Sequence, residues 1–119
     1  MKIILSTESF LGAVILKERI LKGTQKKDNS ISVETWSYKK SSDNYDIIYH
    51  DVPQYTDDVS KNVIFRVETD DRNVVLSIAW WSKNPEPTHQ MMSLHIGRLT
   101  EMLLTYFSDN FITYRIIDF

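Results

Sequence analysis

The sequence predicts an α+β domain: a mainly antiparallel sheet of about five to six strands, covered on one face by a long helix in the C-terminal half and a shorter N-terminal helix. Three observations predict it. Val63, Phe65 and Val67 alternate with Ile64, Arg66 and Glu68, then Asp70-Asp71-Arg72-Asn73 gives a turn, and Val74, Leu76, Ile78 and Trp80 resume the alternation. Period-two patterning on both sides of a turn is the signature of an antiparallel hairpin. Met92, Ile96, Leu99, Leu103 and Tyr106 or Phe107 recur at spacings of three and four, which lays one apolar stripe along a helix. Finally, 119 residues with 42% hydrophobic and 25% charged side chains fit one domain, residues 1–119, with a core of its own.

Each element follows from local chemistry. Residues 2–5 form a short apolar run suited to a strand. Ser6, Thr7 and Ser9 are competent helix caps, and Gly23 stands where a helix can end in a left-handed residue. Residues 9–22 between them read as a helix with Phe10, Ala13, Val14, Leu16, Ile20 and Leu21 inward, although Gly12 and the β-branched Val14-Ile15 pair leave a strand open there. Residues 24–30 are polar and form a loop. Residues 31–39 and 45–52 are rich in β-branched and aromatic side chains and make a hairpin across a polar connection.

Residues 53–61 contain a proline and the Asp57-Asp58 pair and read as a surface loop. Asn84-Pro85-Glu86-Pro87-Thr88 opens the long helix, which runs to about residue 107. Ser108-Asp109-Asn110 closes it, and residues 111–119 form a final strand. Trp80 and Trp81 are adjacent on one strand, so at most one belongs to the main core.

Composition excludes several chemistries. The chain has no cysteine, hence no disulfide, thiolate nucleophile or zinc–thiolate site. The apolar run at residues 10–16 is followed at once by Lys17, Glu18 and Arg19. It is too short to span a bilayer and lacks a cleavage signal, so a cytoplasmic protein with no membrane partner is expected. The three glycines, at positions 12, 23 and 97, form no phosphate cradle. His89 and His95 are six apart on a helix and do not share a face as an i, i+4 metal pair does. His95 borders the apolar stripe and is expected to pack its ring. His50 neighbours Asp46 and Asp51, and His95 precedes Glu101, but no nucleophile signature accompanies either set. The expectation is a protein that is not an enzyme, with no catalytic residue, metal or cofactor.

The charge is unevenly spread. Residues 43–71 hold eight of the sixteen acids against Lys61 and Arg66, a net −6, while the rest of the chain carries twelve bases against eight acids, a net +4. Asp46, Asp51, Asp57 and Asp58 sit among Tyr49 and Tyr55, with no basic residue between Lys40 and Lys61. Carboxylates beside amphipathic rings suit a basic protein partner and repel nucleic acid. In this reading the four aspartates steer association and the two tyrosines anchor it. A basic run at residues 17–27 offers the opposite sign, but the overall balance argues against a nucleic-acid partner.

In size, lack of cysteine, α+β patterning and focused acidic charge, the chain resembles the small immunity proteins of bacterial contact-dependent inhibition and polymorphic toxin systems. The helix bearing Leu94-His95-Ile96-Gly97-Arg98-Leu99-Thr100-Glu101 adds to the likeness. The resemblance implies a stoichiometric inhibitor that blocks a cognate toxin, often a nuclease with a basic active-site cleft. The alternative expectation is a small cytoplasmic enzyme or ligand-binding domain with a cleft between the sheet and the long helix.

Overall fold

In a computed structural model, residues 1–26, 33–52 and 62–117 are described. The chain runs β1 (Lys2–Ser6), α1 (Phe10–Gln25), β2 (Trp36–Lys40), β3 (Asp46–His50), β4 (Ile64–Asp70), β5 (Asn73–Ala79), α2 (His89–Phe107) and β6 (Thr113–Ile117). One 3₁₀ turn, Ser108–Asn110, follows α2. The six strands form one sheet in the order β2-β3-β4-β5-β1-β6, and every neighbouring pair is antiparallel. This is the α+β architecture that the patterning predicts.

Register fixes the faces. Tyr38 lies opposite Ile48, Ile48 opposite Phe65, Val67 opposite Leu76 and Leu76 opposite Ile3. These side chains share one face because paired residues and alternate residues point the same way. They join Ala13, Leu16 and Ile20 of α1 and Ile96, Leu99, Leu103 and Phe107 of α2 in a single core, so both helices cover that face. Ile4, Ile47 and Ile64 point the other way and are buried outside that cluster. Burying the α2 stripe is what holds the long helix down, since helix propensity alone is marginal in water.

Several boundaries differ from the sequence expectation. Helix α1 does not stop at Gly23, which is buried inside it. The helix continues to Gln25, and Lys26 takes the left-handed position at φ 59°, with its N–H reaching the Gly23 carbonyl. Phe10 and Val14 are exposed rather than inward, and Leu21 is only half-buried against the core. In the first predicted hairpin, residues 31 and 32 lie outside the described residues, Glu34 and Thr35 form a turn in which Thr35 has φ 64°, and the described strand is Trp36–Lys40. Ile78, expected in the core, is half-buried at its edge. Neither Trp80 nor Trp81 joins the core: Trp80 is exposed, and Trp81 lies beneath the Lys39 ammonium, 5.2 Å from its ring centre.

Candidate functional site

Strand β3 displays most of the described residues expected to bind a partner, and it splits them. Asp46 points to the helix face with Ile48 and His50, whereas Tyr49 points to the opposite face. The Asp46 carboxylate accepts from the Tyr38 hydroxyl at 2.7 Å, from Lys40 Nζ at 3.1 Å and from Lys17 Nζ at 3.0 Å. Burial opposes its ionisation, yet the bonds from Tyr38, Lys17 and Lys40 outweigh that and hold its pKa below the usual 3.8. The partner pays the reverse effect: burial, then Asp46, pushes Tyr38 up to about 12. Asp46 therefore clasps α1 to β2 and β3, and its charge is spent locally.

Tyr49 and Asp51 do come together. Asp51 follows the end of β3, and its backbone N–H donates to the Thr35 carbonyl at 2.8 Å. Its carboxylate accepts from the Ser37 hydroxyl. With Ser37, Lys26 and Tyr38 these two residues line a shallow groove along β2. Tyr55, Asp57 and Asp58 lie outside the described residues.

A second surface was not foreseen. At one end of the sheet, Thr7 N–H donates to the Arg72 carbonyl at 2.9 Å, and Thr7 Oγ1 lies 2.8 Å from both the Arg72 and Ser9 carbonyls. Ile112 N–H donates to the Ser6 carbonyl at 2.7 Å. These bonds tie the start of α1, the β4–β5 turn and the chain entering β6 into one surface. Ser9 caps α1 through Gly12 N–H at 3.0 Å, which places Phe10 and Leu11 in the first turn, 60% and 66% exposed. Exposed Glu8, Asp70 and Asp71 stand on the same three-segment surface. Asp71 adopts φ 54°, a conformation aspartate tolerates in tight turns. The stripe that buries Ala13, Leu16 and Ile20 includes Phe10 by spacing. Phe10 nonetheless stays in water because the first turn precedes the helix's run onto the sheet. The cap at Ser9 was the available signal.

The third feature is a cleft of about 300 Å³ whose lining includes Thr35, Trp36 and His50 beside Arg98, Glu101 and Tyr106. His50 is buried, its ring 5.2 Å from the Trp36 ring and tilted by 48°, with Nε2 3.2 Å from Thr35 Oγ1. Burial lowers its pKa, and the charges of His95 and Arg98 lower it further against the pull of Asp51 and Glu101. His95 packs inside α2 as expected, donating from Nδ1 to the Met91 carbonyl at 2.8 Å. Burial lowers its pKa too, opposed by that bond. Arg98 Nη1 meets Glu101 Oε2 at 3.2 Å on the rim. The cleft thus sets a neutral imidazole behind a guanidinium–carboxylate pair, an arrangement able to orient a small polar group.

No protein-family model, curated protein or solved structure matches the chain. Among the described residues no cluster of three or more histidine, aspartate or glutamate side chains has metal-binding geometry, and no helix is long and apolar enough to cross a membrane.

Proposed function

We propose that the protein is an immunity protein, a non-catalytic inhibitor that binds one bacterial toxin stoichiometrically in the cytoplasm and blocks its active site. The observation that carries this reading is the sheet-end surface, where exposed Phe10 and Leu11 stand among Glu8, Asp70 and Asp71. Apolar side chains within a polar rim are the anatomy of a protein interface, and the rim, three acids against exposed Arg72, is net negative and favours a basic partner. A nuclease cleft, built to attract phosphates, is such a partner. Asp70 and Asp71 belong to the acidic segment at residues 43–71. Its other described face, Tyr49 and Asp51, offers a second contact; Tyr55, Asp57 and Asp58 belong to the same acidic segment by sequence.

Co-expression with the product of the neighbouring gene tests the reading. The expected result is that this product arrests growth alone, that the present chain restores growth, and that the two copurify at equal stoichiometry. Lysine at positions 70 and 71 slows association and flattens its salt dependence, since long-range attraction acts on the encounter rate. If those variants associate like the parent while Asp57→Lys with Asp58→Lys does not, the contact is carried by the Asp57-Asp58 pair and not by the sheet-end surface. A neighbouring product that is harmless and does not bind removes the immunity reading.

The cleft favours a second reading, a small ligand-binding or catalytic domain. Its volume lies at the lower end of small-molecule sites, and buried His50 supplies a neutral proton acceptor.

A further inference from the structure

Both helices pack on one face of the sheet, so the strands turn their second face outward. Register places basic side chains there. Lys39 of β2 lies in one cross-strand row with Ile47, Arg66, Ser77 and Lys2, and alternation puts Arg115 of β6 on the same side. Against these four bases the strands bring only Glu68 and Asp70 to this face, both in the second half of β4. The other described acids nearby are engaged elsewhere. Asp46 turns to the helix face, and Asp51, past the end of β3, accepts from the Ser37 hydroxyl. The charge balance that disfavours nucleic acid for the whole chain is therefore reversed on this face.

Two indoles stand on the same side. Trp80 walls a hollow of about 350 Å³ whose lining includes Arg66, Glu68, Ser77 and Ala79. Ser77 and Ala79 are its floor, open because both side chains are small, and Lys2 flanks Ser77 on the side away from Arg66. The Arg66 guanidinium lies over the Tyr45 ring at 4.0 Å, and a stacked guanidinium keeps its fork of N–H donors set for an anion. Trp81 walls the neighbouring hollow, about 340 Å³, with Lys39, Ser82 and Lys83, and the Lys39 ammonium is 5.2 Å from its ring centre. Each hollow thus combines one indole, one hydroxyl and cationic side chains, and consecutive residues supply the two indoles.

We infer that this face binds single-stranded nucleic acid, with two neighbouring nucleotides in the two hollows. One base stacks on Trp80, as any base can on an aromatic face, and Glu68 accepts from base N–H groups at the rim. Arg66 and Lys2 take its phosphate, while the next unit sits against Trp81 with its phosphate on Lys39 and Lys83. Lys39 and Arg66 stand two strands apart, about 10 Å at the usual spacing. The duplicated hollow selects a strand over a free nucleotide, which needs one such site. The indoles select it over an acidic protein segment, whose carboxylates gain from the cations but bring no ring to stack. This activity goes beyond the immunity reading and does not rest on it.

Fluorescence anisotropy with labelled oligothymidylate and oligouridylate of about ten nucleotides tests the inference on the protein alone. The expected result is binding whose log K falls with log salt at about −0.7 for each phosphate neutralised. Arg66→Gln and Lys2→Gln each weaken binding and bring that slope nearer zero. Trp80→Ala weakens binding by about 5- to 150-fold and leaves the slope unchanged, and Trp80→Phe restores part of the loss. Circular dichroism stays as in the parent, because Trp80 lies outside the core. A mononucleotide that binds as tightly as the oligomer makes the ligand a free nucleotide, and polyglutamate that competes equally well makes the face a site for acidic protein. Either result, a Trp80→Ala protein that binds like the parent, or no binding of the oligomers at low salt overturns the inference.

Discussion

The two outer strands of the sheet are built on opposite plans. Strand β2 is anchored from both sides: Trp36 is only 2% exposed in the core, and Tyr38 belongs to the clasp of Asp46, Lys17 and Lys40. Strand β6 pairs with β1 along its whole length, yet its residues are mostly exposed and its contact with the helix layer runs through Tyr114. One edge is tied down with charge and a buried indole, and the other presents isoleucine to water. An edge strand can be protected by charged and buried side chains of its own or left open to water, and the described edges of this sheet show one of each.

The sharpest way to break the comparison is to truncate the matching side chains. Trp36→Ala removes a buried ring that touches Phe65 and His50, and is expected to cost about 3–5 kcal/mol through lost transfer energy and a cavity. Ile116→Ala in dilute protein is expected to change stability by no more than about 0.5 kcal/mol. Urea unfolding of both variants measures the contrast. Equal losses would mean that β6 is as firmly anchored as β2.

A smaller effect isolates the clasp. Asp46→Ala leaves the Tyr38 hydroxyl and Lys17 without their shared acceptor and is expected to cost about 1–3 kcal/mol. It also lets Tyr38 titrate below its present value of about 12, while burial keeps it above 10. Ultraviolet titration reads that shift directly. A Tyr38 value unmoved by the substitution would show that Asp46 does not hold the edge.

The contrast between edges also explains what was legible in the sequence. Strands β4 and β5 and the α2 stripe were readable because period two and period 3.6 record which side chains meet the core, and here core contact decides position. The acidic segment was readable as charge but not as geometry. Asp46 and Tyr49 are three apart and read as one face of a tyrosine-bearing surface, yet strand alternation sends them to opposite sides, and α1 supplies the lysine that neutralises Asp46. No local pattern announces Lys17, a partner twenty-nine positions away from Asp46. The exposure of Phe10 was hidden for the same reason, since helical spacing gives the inward direction but not where the sheet beneath the helix ends. The cleft required His50 and Arg98, forty-eight positions apart, to be brought to one place by the fold.

Acid titration probes the β2–β3 side with the gentlest of these perturbations. His50 and His95 both have folded pKa values lowered from 6.5, chiefly by burial, so the unfolded chain binds protons more readily than the folded one. The stability that comes from keeping the two rings neutral is fully present above about pH 6.5 and is lost as pH falls through their folded values. Asp46, lowered from 3.8, adds a second loss only at more acid pH, where its clasp with Tyr38, Lys17 and Lys40 is protonated away. Unfolding midpoints measured from pH 8 to pH 5 are therefore expected to fall below about pH 6.5. They should fall less steeply for His50→Asn, which removes one titrating ring while keeping a polar group beside Thr35. His95 and the rim charges of Arg98 and Glu101 remain in that variant, so a residual slope belongs to His95. If His50→Asn reproduces the parent's slope, the protons are taken up elsewhere and the cleft histidine is not part of what acid disrupts.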